Sequence, residues 1–319
     1  MMATVMSGRP AKASSENRPL IVLYSLLLIL CLGMWFLQPH VIGLAWFSNI
    51  LLFAAPLGFF AAAQTIVLLT GGIDLSVTAA ATASAYIMAT NPELGFGAVC
   101  VGLAIAIIIG VVNGIGIAVF GVTPLIMTLA SSLVTIGGLT VYGQAAMGQM
   151  SLIPDYIVAL GSAKIGGALP INAVFWGVFS VLLVVGLNRT GYGRLLYALG
   201  DNAGAVRLSG VRLHRVLIVN YALSGLFSGT AGLLLVGSTN AADLGLANTY
   251  LLPSVAAAVI GGVSIFGGKG SYVGAVGGTL VLTVLNSFLT FYNASEPLKQ
   301  ILYGGIILLL AALYSRITR

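Results

Sequence analysis

Stretches of about twenty residues with almost no charge recur along the whole chain, and that recurrence constrains its fold more than any other feature. A hydrocarbon core about 30 Å thick is crossed by about 20 apolar residues at the helical rise. Clear runs lie at 20–37, 50–69, 96–120, 123–141, 171–187, 216–236, 250–266 and 272–291; weaker ones lie at 75–89 and 301–314. Composition supports a membrane reading, since 59% of residues are hydrophobic and only 6% charged, against about 25% charged in a soluble domain. So few charges cannot cover a water-facing surface, which excludes a cytosolic or secreted enzyme and a disordered chain. The 42 glycines suit helices that must approach closely where no hydrophobic force drives them together. The expected fold is all-α and polytopic, with about ten transmembrane helices.

Charge gives the orientation. Arg9, Lys12 and Arg18 precede the first run, and no small-residue cleavage site follows it, so it reads as a retained first helix. Basic residues concentrate on the cytoplasmic side. With the N-terminus inside and ten crossings, only Lys164 and Lys299 of the 13 basic residues fall outside. An odd count would break that asymmetry, so both termini are expected in the cytoplasm. The net charge of +6 is spread too thinly to track phosphates, so no nucleic-acid partner is expected. Two long polar interruptions remain: 142–170, outside, and 188–215, inside. The inner one carries five arginines and reads as two short helices, 194–200 and 202–208, with a break at Gly200-Asp201 and Gly210 closing the second.

Catalytic chemistry is missing. The spans hold almost no titratable group, His40 and His214 are too far apart to share a site, and Cys31 and Cys100 match no metal-ligand spacing. No catalytic residue and no metal site is expected. Gly267-Gly268-Lys269-Gly270-Ser271 is not a phosphate-binding loop, because Val263 stands five before Gly268 and Gly270 follows the lysine. No cofactor is therefore expected on this chain, and if its transport is active the energy enters from elsewhere. Glycines spaced by four, as in Gly270/Gly274/Gly278, Gly110/Gly114 and Gly225/Gly229, serve either packing within the subunit or contact with a second one.

Uncharged polar residues inside the runs are the better clue: Gln64, Asn113, Thr128, Ser131, Ser132, Asn220, Ser224, Ser228, Thr283 and Asn286. Each alone can bond a neighbouring helix. Together they suit a path for a neutral, hydroxyl-bearing solute, because amides and hydroxyls exchange hydrogen bonds without burying an ion. Asp74, after the Gly71-Gly72 break, reads as a cap on the helix that follows, with solute contact or gating as the other role. With it, Gln64, Asn113, Thr128, Ser131, Asn220, Ser224 and Asn286 are the candidates for a translocation path.

Gly71-Gly72-Ile73-Asp74-Leu75-Ser76-Val77, Thr123-Pro124-Leu125-Ile126, Arg189-Thr190-Gly191-Tyr192-Gly193-Arg194 running to Gly200-Asp201-Asn202, Arg207-Leu208-Ser209-Gly210, and the glycines of 256–270 resemble the membrane subunit of ribose-type ABC importers over nearly the whole chain. The resemblance implies a single permease domain over 1–319, with a cytoplasmic tail at 1–19 and a coupling loop at 188–215. It implies a bacterial inner-membrane location and three partners: a cytosolic ATPase that uses the ATP, a periplasmic solute-binding protein, and a second permease subunit, identical or a close paralogue. It also implies that Arg194, Gly200, Asp201, Asn202, Ala205, Arg207 and Gly210 belong to the element that docks on the ATPase. Thr78, Leu251 and Pro253 depart from the family's usual residues and bear on substrate. A secondary carrier or channel working without an ATPase is the competing expectation.

Overall fold

The computed structural model describes residues 18–37, 39–40, 42–145 and 153–317. Arg9, Lys12 and Arg319 lie outside them. The described residues form twelve α-helices, short 3-10 turns, and one two-stranded ribbon, β1 (Lys164–Ile165) against β2 (Leu169–Pro170). The helices are α1 (Arg18–Leu37), α2 (Leu44–Leu69), α3 (Val77–Thr90), α4 (Phe96–Ala118), α5 (Pro124–Ala145), α6 (Asp155–Ser162), α7 (Ile171–Arg189), α8 (Gly191–Leu208), α9 (Leu213–Thr239), α10 (Leu251–Ile260), α11 (Tyr272–Phe291) and α12 (Glu296–Ile317). Six of them, α2, α4, α5, α7, α9 and α11, are long and apolar enough to cross a membrane among the described residues.

Two helices form the centre. α2 is buried almost continuously from Ala54 to Leu69 and packs on α7, α9, α10 and α11. α9 packs on α2, α3, α4 and α6. Pro56 lacks the N–H that would bond the Leu52 carbonyl, and the lost bond is replaced: Asn172 Nδ2 donates to Leu52 O at 2.9 Å. α4 and α9 meet through glycines. A Cβ at Gly110 or Gly225 would collide with the backbone of the facing helix at Tyr221 or Ala106, and one at Gly278 would collide with Ala257 on α10. These spacings serve contacts within the chain. Gly270 itself precedes α11 and has φ +133°.

The apolar run 250–266 is not one helix. α10 ends at Ile260, and backbone with positive φ at Gly262, Gly267, Gly268 and Gly270 follows. Hydropathy reads apolar length and not backbone shape, and here the irregular segment satisfies its own polar groups. Val263 N donates to Ala258 O at 3.0 Å, Ser264 N to Lys269 O at 2.9 Å, and Gly268 N to Leu69 O at 3.0 Å. α3, at 14 residues, is about 21 Å long by helical rise and is walled by α4, α5 and α9. α5 is the opposite case, apolar yet exposed over most of its surface.

Candidate functional site

α2 stops at the Gly71-Gly72 break, and the chain turns there into α3. Gly71 takes φ +79°, which glycine adopts without a Cβ penalty. Gln64 Nε2, one helical stretch earlier, donates to Asp74 O at 2.7 Å. Asp74 Oδ1 accepts from Ser76 N at 2.9 Å and Ser76 Oγ at 2.6 Å, and Oδ2 accepts from Ser224 Oγ on α9 at 2.7 Å. Asn113 Nδ2 on α4 donates to Ser76 Oγ at 2.8 Å, and Leu75 N donates to Thr128 Oγ1 on α5 at 3.0 Å. All these side chains are buried.

Five of the residues selected for a path, Gln64, Asp74, Asn113, Thr128 and Ser224, thus belong to one network that ties α2, α4, α5 and α9 to the start of α3. As arranged they bond one another. The Asp74 carboxylate accepts from Ser76, which precedes α3, and not from an amide of the first turn of α3, so the expected capping geometry is corrected to a clamp on the turn before the helix. Ser131 is half-buried and donates to Thr128 O at 3.0 Å. Asn220 sits just beyond the network: its Nδ2 donates to Ile66 O at 2.9 Å, and Tyr192 Oη donates to its Oδ1 at 3.4 Å. Ser76, part of the motif at 71–77, and Tyr221 are not among the path candidates that the sequence offers. A Cβ at Gly72 would meet the Tyr221 hydroxyl; a glycine break followed two residues on by acid-x-serine was the available signal for Ser76.

α8 is seated on the same end of the bundle. Thr190 caps it, its Oγ1 accepting from Gly193 N at 3.1 Å. Its first half carries Arg194 and is held by Tyr197, whose hydroxyl donates to Gly270 O at 3.0 Å; burial pushes that phenol up, so it stays a donor. Gly200 fits against Leu69 O and the Gly267-Gly268 backbone with no room for a Cβ. The sequence places the break at Gly200-Asp201, but Gly200 does not take a positive φ. The break falls instead at Asn202, with φ −155° and ψ 91°. Asn202 Oδ1 then accepts from Ala205 N at 2.9 Å and starts the second half. Asp201, Asn202, Ala205 and Arg207 are exposed, Leu208 is 91% exposed, and Gly210 closes the helix with φ +80°.

Asn286 lies at the opposite end. It faces an open cavity of two adjoining lobes, about 330 Å³ and 380 Å³, between α2, α10, α11 and the start of α12. Phe53, Tyr250 and Thr283 also border both lobes, and Pro253, Glu296 and Tyr303 border one. Pro253, noted as a departure, is therefore a wall residue, whereas Thr78 is buried in α3. Glu296, Lys299 and Tyr303 are not among the residues selected from sequence. Their spacing of three and seven on one helix face was the signal, and it reads equally as a solvated surface. Among the described residues no group of three or more His, Cys, Asp or Glu could hold a metal ion.

Residues 46–311 match the family described as branched-chain amino acid transport system / permease component. The chain belongs to that family. It is therefore a membrane transport permease and not an enzyme. The permease is 32% identical to the galactose/methyl galactoside import permease protein MglC of Haemophilus influenzae, over 92% of this chain and 93% of that one. It is 34% identical to the ribose import permease protein RbsC of Bacillus subtilis, over 93% and 92%. It is also 34% identical to the fructose import permease protein FrcC of Rhizobium meliloti, over 81% and 74%. No solved structure matches the permease. The resemblance drawn from the glycine-rich motifs to ribose-type import permeases is borne out by these relatives.

Proposed function

We propose that the permease is the membrane subunit of an ATP-driven bacterial importer and passes a small neutral monosaccharide across the inner membrane. The observation that carries this reading is α8: a kinked helix with an exposed second half, whose first half is fitted at Gly200 without clearance onto the end of α2 and the Gly267-Gly268 turn that follows α10. A helix so held transmits displacement as a rigid body. On this reading Arg194, Gly200, Asp201, Asn202, Ala205, Arg207 and Gly210 form the element that meets a cytosolic ATPase. A periplasmic solute-binding protein delivers the sugar, and a second permease copy or close paralogue completes the path; the exposed apolar surface of α5 gives it a place to pack. Ten crossings with both termini cytoplasmic follow if α3 and α10 cross with help from the irregular backbone at their ends. The relatives' names support the substrate class.

The path candidates divide in two. The Asp74 network, with Gln64, Asn113, Thr128 and Ser224, holds the α8 end closed, while Asn286 lies in the cavity open at the other end. In a background where Cys31 and Cys100 are replaced by serine, a cysteine at Arg207 should cross-link to the co-purifying ATPase. It should also label from the membrane face opposite to a cysteine at Asp155. Labelling from the same face, or failure of any ATPase subunit to co-purify, would contradict the reading.

A further inference from the structure

We propose that the cavity bordered by Phe53, Tyr250, Thr283, Asn286, Glu296 and Tyr303 is a monosaccharide subsite within a single permease subunit, with Asn286 and Glu296 as its hydroxyl-reading groups. The proposal rests on the reading of the chain as a sugar permease and deepens it.

Size comes first. Lobes of about 330 Å³ and 380 Å³ fall in the range of small-molecule pockets, about 300–1,000 Å³, and one lobe holds one sugar ring. The walls have the right chemistry. Phe53 and Tyr250 supply aromatic surface for the apolar face of a ring, and Tyr250 is itself packed on Phe60, with centroids 5.5 Å apart. Asn286 is oriented, because Tyr303 Oη donates to its Oδ1 at 3.4 Å. That bond leaves the Nδ2 donors for a solute.

Charge narrows the class. Two cations lie beside the cavity. Lys164 is exposed and donates to Oδ1 of Asn49, which borders the larger lobe, at 3.5 Å. Lys299 is 5% exposed and is committed: its Nζ lies 2.7 Å from Glu296 Oε1 and donates to Thr290 Oγ1 at 2.9 Å. A buried ammonium paired in this way does not serve a phosphate or an α-carboxylate. Lys299 instead acts as a positioning residue, fixing one carboxylate oxygen of Glu296. Glu296 Oε2 has no hydrogen-bond partner among the described residues and accepts from a hydroxyl. Neutral polyols fit these groups, whereas the Glu296 carboxylate repels a sugar phosphate or an α-carboxylate.

The test uses the full chain with Cys31→Ser and Cys100→Ser, in liposomes, carrying Asn286→Cys or, as a second position on the same wall, Thr283→Cys. A membrane-impermeant thiol reagent should label both from the face that carries Asp155. D-Galactose, D-ribose and D-fructose are the probes, with L-leucine as the amino-acid control. At about ten times its dissociation constant a bound sugar leaves about one site in eleven free, so at least one sugar should slow labelling about tenfold. L-Leucine should have no effect. Absence of protection by all three sugars at both positions, or protection by leucine alone, overturns the subsite. Sugar uptake that proceeds without ATP would sink the importer reading instead and leave the protection result intact.

Discussion

Gly200→Val should leave the permease inserted and abolish its sugar uptake. The Cα of Gly200 sits where any Cβ would overlap the Leu69 carbonyl oxygen and the Gly268 amide nitrogen. Both are backbone atoms, so neither can swing aside as a side-chain tip could. Overpacking of this kind costs about 1–3 kcal/mol, which depopulates the seated state about 5- to 150-fold. Insertion depends on the apolar runs and not on α8. The expected result is therefore near-normal protein in the membrane, weak co-purification with the ATPase, and uptake close to background. A bulky residue at the exposed Ala205 should leave the seat intact and disturb only the ATPase contact. Measuring membrane content, pull-down and uptake side by side separates the two. Normal uptake in Gly200→Val would show that the close seat of α8 does not matter.

Asp74→Leu should lose most of the folded protein, whereas Asp74→Asn should keep most of it. Leucine leaves the Ser76 N–H, the Ser76 hydroxyl and the Ser224 hydroxyl without their acceptor inside the bundle. Each buried donor left unpaired costs about 1–3 kcal/mol, so the sum is on the order of 3 kcal/mol or more, well above the loss of a helix cap alone, about 1 kcal/mol. Asparagine keeps one oxygen for Ser76, and the Ser224 hydroxyl can turn to accept from the amide. Detergent-extracted protein followed by size-exclusion chromatography checks both variants. A well-folded Asp74→Asn protein that transports nothing would show that the negative charge works in gating.

The contrast between those variants also shows what was legible in the sequence. The run 272–291 coincides with α11, and the end of the run 50–69 coincides with the end of α2, because a span is set by apolar length and stopped by glycine. The run 250–266 misled, since an apolar composition suits a helix and a buried irregular turn alike; only the hydrogen bonds of Val263, Ser264 and Gly268 distinguish them. Among the polar candidates, spacing along single helices could not reveal that Gln64, Asn113 and Ser224 converge on the break at Asp74 while Asn286 lies at the far end. That partition depends on which helix faces which. Glu296 and Lys299 are not legible as cavity residues because an acid and a base three apart at a helix start look like a surface pair, yet folding buries the lysine.

The central claim is that this permease moves a neutral sugar using energy delivered by an ATPase through α8. Its most direct test is uptake of radiolabelled D-galactose, D-ribose and D-fructose into proteoliposomes that hold the permease, its ATPase and its solute-binding protein. Accumulation of at least one sugar above its external concentration, dependent on ATP and lost in Gly200→Val, is the predicted result. Equilibration of the sugar by the permease alone, without ATP or any partner and at a rate unchanged by Gly200→Val, would contradict the account and establish a carrier or channel instead.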